Sequence, residues 1–175
     1  MFVQSERDLE NYICEHIDRF KGFLGTIYGE DKEFSFIGRQ VNVCGKFIDL
    51  LFDFWENPNT ACPLETRTFV VIELKNRALC PNDLAQISRY INILDEYYDY
   101  DKEVDYEIDV NGILIGTDLD ENMQEIEMCM SRQVGQRIQF IGIESDLVFK
   151  EADYYHSETF LENMEFDKRI KAKRE

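Results

Sequence analysis

Nowhere does the chain hold eighteen consecutive apolar residues, so no segment is long enough to cross a bilayer as a helix. Its opening residues, Met1-Phe2-Val3-Gln4-Ser5-Glu6, lack the charged and apolar regions of a signal peptide. The five cysteines (Cys14, Cys44, Cys62, Cys80 and Cys129) are scattered, odd in number and never spaced as Cys-x-x-Cys, which removes a disulfide framework and a zinc ribbon from consideration. The two histidines, His16 and His156, stand apart from any partner arrangement and read as structural or surface residues. There is no internal repeat, and no low-complexity segment outside one acidic block. Together these absences predict a soluble, cytoplasmic protein with free thiols and no membrane partner.

Basic residues are also scarce, 19 against 36 acids, for a formal charge of −17. Affinity for phosphate backbones comes mainly from clustered Lys and Arg, so the balance argues against nonspecific nucleic-acid binding. Its distribution softens that objection. Residues 95–109 hold eight acids against one lysine, and residues 118–127 hold five more, which reads as a solvated edge. The cations gather near the central strands (Arg39, Lys46, Arg67, Lys75, Arg77, Arg89) and in the tail Lys168-Arg169-Ile170-Lys171-Ala172-Lys173-Arg174. With 175 residues, 44% of them apolar and 13% aromatic, there is material for one globular core but not for two.

Ser5 followed by Asp8 resembles a capping arrangement, and Leu9, Tyr12, Ile13, Ile17 and Phe20 recur at helical spacing, predicting a first helix over 6–20 that Gly22 and Gly25 end. Residues 34–43 and 46–55 read as a hairpin about Gly45, and 66–76 as a third strand after a loop over 57–63. Pro81-Asn82-Asp83 starts a helix with an apolar stripe of Leu84, Ile87, Ile91 and Leu94. A buried strand over 109–117, a helix over 121–130, a strand over 137–144 and a charged terminal helix over 158–173 complete the order αβββαβαβα.

Two of these strands carry charge where apolar residues belong. Phe47-Ile48-Asp49-Leu50-Leu51-Phe52 is followed, 24 positions after its aspartate, by Glu73 and Lys75 inside Phe69-Val70-Val71-Ile72-Glu73-Leu74-Lys75-Asn76. Alternation puts Glu73 and Lys75 on one face with Phe69 and Val71, and Val70, Ile72 and Leu74 on the other. Two ionised carboxylates converging from neighbouring strands repel and are costly to bury, and a divalent cation rewards such a pairing. On the helix that follows, Gln86 and Tyr90 sit one turn apart and face one direction.

An N-terminal helix, a meander carrying Asp and then Glu-x-Lys, and a helix carrying Gln-x-x-x-Tyr resemble the PD-(D/E)XK nuclease superfamily. Phe36-Ile37-Gly38-Arg39-Gln40, Ile48-Asp49-Leu50-Leu51-Phe52 and Val70-Val71-Ile72-Glu73-Leu74-Lys75 are similar to the C-terminal nuclease domain of YhcG-type proteins. With Glu6-x-x-Leu9 and Gln86-x-x-x-Tyr90 they also resemble the catalytic domain of the EndoMS/NucS mismatch endonucleases. The resemblance implies an α/β, restriction-endonuclease-like core, a mixed sheet flanked by helices, over 1–150, with a charged helical extension over 151–175. It further implies an Mg²⁺- or Mn²⁺-dependent DNA endonuclease or structure-specific nuclease. Asp49, Glu73 and the carbonyl of Leu74 become metal ligands. Lys75 orients water or stabilises charge on the phosphorane, and Gln86 and Tyr90 hold the lysine, the water or the substrate backbone. Arg39, Arg77 and Arg89 become nucleic-acid contacts, and a symmetric homodimer is the expected assembly, with the acidic surface open to a protein partner.

Those relatives also use a carboxylate from the first helix. At about 100° per residue, Glu6 projects nearer than Glu10 to the centre of the stripe made by Leu9, Ile13, Ile17 and Phe20. Glu6 is therefore preferred and Glu10 kept as second choice. The relatives carry an additional N-terminal domain, whereas this sequence begins almost at the catalytic helix, so mismatch recognition does not transfer. The competing classes are a catalytically silent nuclease-fold binding module and an acidic protein that masks a basic partner.

Overall fold

A computed structural model describes residues 5–57, 64–99, 106–130, 137–143 and 149–151. The described elements are α1 (Glu6–Glu15), α2 (Ile17–Tyr28), β1 (Ser35–Val43), β2 (Lys46–Glu56), β3 (Thr66–Leu74), α3 (Pro81–Asp99), β4 (Glu107–Gly116), α4 (Glu121–Met130), β5 (Ile138–Ile143) and β6 (Phe149–Glu151). The six strands form one sheet in chain order. β1, β2 and β3 pair antiparallel, β3, β4 and β5 parallel, and β5 and β6 antiparallel. The α/β fold class is thus the expected one, a mixed sheet flanked by helices.

Central strands that read as nearly continuous apolar runs are those with both faces covered. On one face Val70, Ile72 and Leu74 of β3 and Leu50, Phe52 and Phe54 of β2 pack under Leu9 and Ile13 of α1 and Phe20, Phe23 and Leu24 of α2. On the other, Phe69 and Val71 of β3 and Val110 and Leu114 of β4 meet Ile87, Tyr90, Ile91 and Leu94 of α3 and Met123 of α4. Each of these side chains contributes about 1.5–3 kcal/mol by leaving water. α3 lies close against β4 because Gly112 has no side chain there: a Cβ would meet Ile87 Cδ1 at 2.8 Å and Ile91 Cδ1 at 2.9 Å.

The predicted first helix is two helices. His16 leaves helical geometry (φ −121°, ψ 38°), its N–H donates to both Tyr12 O and Ile13 O, and its ring stacks on Tyr12 at 4.3 Å. Gly22 and Gly25 do not end anything. Both lie inside α2, where the helix stays anchored by buried Phe20, Phe23 and Leu24, and the stop falls at Gly29, whose φ of +121° suits glycine. The hairpin turn between β1 and β2 uses positive φ at both Cys44 (50°) and Gly45 (76°), a twist that matches flanking strands. β6 is an addition to the predicted order, and the proposed domain boundary at 150 falls within it. The loop residues 58–63 and the predicted terminal helix over 158–173 lie outside the described residues. Among the described residues no helix is long and apolar enough to cross a membrane.

Candidate active site

β2 and β3 stop pairing at one end. Their ladder runs from Glu56↔Thr66 to Leu50↔Ile72 and goes no further, while β3 continues beside β4 to Leu74↔Ile115. The N–H of Leu74 donates to Asp49 Oδ2 at 2.8 Å. A side-chain carboxylate therefore takes a backbone donor at the point where the strands part, and Asp49 is held beside Glu73.

Glu73 projects towards α3, as strand alternation requires, and is 2% exposed. Its Oε1 accepts from Lys75 Nζ at 2.6 Å and from Gln86 Nε2, and Gln86 Nε2 also reaches Tyr90 Oη at 3.1 Å. Its Oε2 is buried with no hydrogen-bond partner. Burial, then the charge of Asp49, push the Glu73 carboxyl up to about 7, against the opposing pull of Lys75. Asp49 is also raised, by burial first, although Leu74 N–H, Lys75 and Gln40 oppose the shift. For Lys75 burial acts downward, but the hydrogen bond and charge of Glu73, with the charges of Glu6 and Asp49, more than reverse it. The lysine stays a cation in a buried place. Tyr90 is raised, by burial first.

The two carboxylates of α1 divide the surroundings between them. Glu10, not Glu6, is the buried one, at 8% exposure, and it accepts from Gln40 Nε2 at 2.7 Å. Glu6 is exposed. The angular projection placed Glu6 inward because it locates a residue around the helix axis and not along it. Glu10 lies under β1, and Glu6, one turn nearer the helix start, is uncovered. Glu6 still acts on the site through its charge, raising both Glu73 and Lys75, while the charge of Glu10 raises Asp49.

The three arginines expected to meet nucleic acid have different surroundings. Arg89 is exposed on α3. Arg39 is exposed but leans on α1, donating to Asn11 Oδ1 at 3.0 Å with Glu10 Oε1 at 3.7 Å. Arg77 is committed elsewhere. It forms a two-pronged pair with Asp83, both bonds 2.7 Å, and Asp83 also accepts from Cys80 N–H at 2.9 Å to cap α3. That cap is a reason for Arg77 that charge distribution alone does not reveal.

One site residue escaped the sequence reading. Gln40 donates from a single amide nitrogen to Glu10 Oε2 and, at 3.0 Å, to Asp49 Oδ1. Its signal lay in the hairpin: counting outward from the turn, Val43↔Lys46, Asn42↔Phe47 and Val41↔Ile48 bring Gln40 opposite Asp49.

The donor set suits a hard divalent cation. Asp49 and the bare Glu73 Oε2 offer carboxylate oxygens, and two acids beside one buried lysine leave net negative charge. Among the described residues no group of three or more His, Cys, Asp or Glu closes into a cage.

Comparison with known proteins brings one family model, described as the YhcG PDDEXK nuclease domain, which matches residues 3–130. No curated protein matches the chain. Among solved structures, a repair endonuclease from Pyrococcus abyssi is similar at 20% identity and a TM-score of 0.49, over 83% of this chain and 49% of that one. An EndoMS–dsDNA complex is similar at 19% identity and a TM-score of 0.39, over 70% of this chain and 43% of that one. The chain thus spans less than half the length of either protein.

Proposed function

Since the chain belongs to the YhcG PDDEXK nuclease domain family, we propose that it hydrolyses DNA phosphodiester bonds with the help of Mg²⁺ or Mn²⁺. The observation that carries this reading is the buried, unpartnered Glu73 Oε2 beside Asp49. A buried carboxylate oxygen without a donor is costly, and a cation is the partner that removes the cost.

Asp49, Glu73 and the Leu74 carbonyl would hold the cation, which when bound supplies Lewis acidity and a water that ionises near neutral pH. The remaining work belongs to side chains. Lys75, kept protonated by Glu73, presents a fixed positive charge where a phosphate gains negative charge. Gln86 holds Glu73 Oε1 and, through Tyr90 Oη, ties the site to α3. Glu6, open to solvent and acting on Lys75 through its charge, would steady a water at the edge of the site.

Arg39 and Arg89 supply phosphate contacts in this reading, with Arg77 reserved for Asp83. A symmetric homodimer would set two such surfaces against both strands, and the acidic edge would suit a basic protein partner. Residues 1–150 are taken as the catalytic unit and 151–175 as an extension. Cys14, Cys44 and Cys80 are free thiols, in keeping with a cytoplasmic location. The decisive experiment is a cleavage panel of single-stranded, duplex, flap, mismatched and junction DNA, with matching RNA, in each metal. Cleavage that needs metal and is lost in Asp49→Asn supports the reading. A wild-type protein that cuts nothing in either metal overturns it in favour of a silent binding module.

A further inference from the structure

Gln40 sits in a backbone conformation that glutamine rarely adopts, with φ +48° in the middle of an edge strand. Register pairs flank it at Arg39↔Leu50 and Val41↔Ile48, but Gln40 itself is missing from the ladder. The twist turns its side chain onto two carboxylates that come from different elements, Glu10 of α1 at 2.7 Å and Asp49 of β2 at 3.0 Å. Both are acceptors, so the amide nitrogen and not the oxygen must face them, one N–H for each. Asp49 is then fixed at both oxygens, Oδ1 by Gln40 and Oδ2 by Leu74 N–H. Non-glycine residues held at positive φ gather where function demands the geometry.

We propose that Gln40 is a positioning residue that clamps Glu10 to Asp49 and fixes the direction in which Asp49 meets the cation. The proposal rests on the nuclease reading of this site. Its chemistry explains why an amide is present and not a lysine or arginine. A cation here would satisfy both carboxylates equally well, yet it would cancel the negative charge that attracts a divalent ion. The amide donates two hydrogen bonds and adds no charge. It also couples α1 to β2 by joining Glu10 to Asp49, whose carboxyl the charge of Glu10 raises.

The test uses Gln40→Gly and Gln40→Asn in the full chain, titrated with Mn²⁺ by calorimetry and melted without metal. Glycine accepts the left-handed backbone and lacks the clamp. Asparagine tolerates that backbone too, but is one methylene too short to span both acids. The expected result is Mn²⁺ bound about 10- to 100-fold more weakly by Gln40→Gly, with a metal-free melting temperature at or below wild type, because losing the donor to Glu10 and Asp49 opposes the relief of the left-handed backbone. Gln40→Asn should weaken Mn²⁺ binding in the same direction, and it decides the matter if the glycine variant does not fold. Wild-type Mn²⁺ affinity in both variants overturns the proposal, whatever their stability, because a merely structural glutamine would move the melt and leave the metal alone. If wild type binds no Mn²⁺ and cuts no nucleic acid, the nuclease reading falls and takes the clamp with it. If wild type does both and only the variants fail to differ, the clamp alone falls.

Discussion

The same two strands bury acid at both ends, and treat it in opposite ways. At one end Asp53 of β2, 4% exposed, meets Arg67 of β3: Nη2 lies 2.6 Å and Nε 2.7 Å from Oδ2, and the guanidinium also lies over the rings of Trp55 and Phe69. At the other end Lys75 pairs with Glu73 alone, the charge of Asp49 acts on the same carboxyl, and one Glu73 oxygen is left bare. The first end is electrostatically closed by the chain itself. The second is left open, and what it lacks is a positive charge from outside. Burial of a carboxylate is therefore no pointer to function; burial of one that the fold declines to neutralise is.

Substitution at the open end should have the largest effect. Asp49→Asn removes one of the two acids, and DNA cleavage should fall by on the order of 10³-fold or more, with divalent-ion binding lost in calorimetry. The metal-free protein should keep its fold, or gain stability as the repulsion with Glu73 is relieved. Full activity in this variant would remove the open end from the account. The closed end should answer in stability alone. Arg67→Ala strands a buried Asp53 charge and should lower unfolding free energy by about 3 kcal/mol in urea melts, without changing Mn²⁺ affinity. Lys75→Ala should reduce turnover by about 10²-fold and spare most of the metal affinity, since the lysine is not a ligand. Loss of both together would make Lys75–Glu73 an ion pair like Arg67–Asp53.

A smaller effect concerns pH. Glu73 has a carboxyl raised from 4.5 to about 7, so the folded state holds this proton more tightly than the unfolded chain. Its contribution is fully present below pH 4.5 and is lost as pH rises through 7, at most about 3 kcal/mol in metal-free melts. Glu73→Gln should flatten that slope, and an unchanged slope would assign it to other groups. The smallest effect belongs to the surface. Arg39→Ala and Arg89→Ala should each weaken DNA binding alike across sequences and reduce the salt slope by about one unit.

Much of the open end was legible because it depends on local periodicity. Strand alternation set Glu73 and Lys75 on the α3 side, and helical spacing brought Gln86 and Tyr90 together on one face. What stayed hidden depends on contacts between elements. Hairpin counting sets Gln40 opposite Asp49, but its reach to Glu10 comes with a left-handed backbone inside a strand, which neither period contains. Glu10 needed β1 to cover it, and an angular projection cannot see that cover. Arg77 looked like a free cation until the path of the chain into α3 placed Asp83 beside it. The break at His16 likewise turns on a ring stacked over Tyr12, an arrangement with no signature in hydrophobic spacing.

The bond from Leu74 N–H to Asp49 Oδ2 has a use beyond architecture. A backbone amide whose nitrogen lies 2.8 Å from a carboxylate oxygen has a proton resonance whose position follows the charge on that carboxylate. Proton uptake at Asp49, arrival of a metal, or rotation of the side chain each alters the field at one nucleus. In a nitrogen-15 labelled sample, the Leu74 cross-peak is thus a resident voltmeter for the site, readable without substrate, turnover or an attached dye.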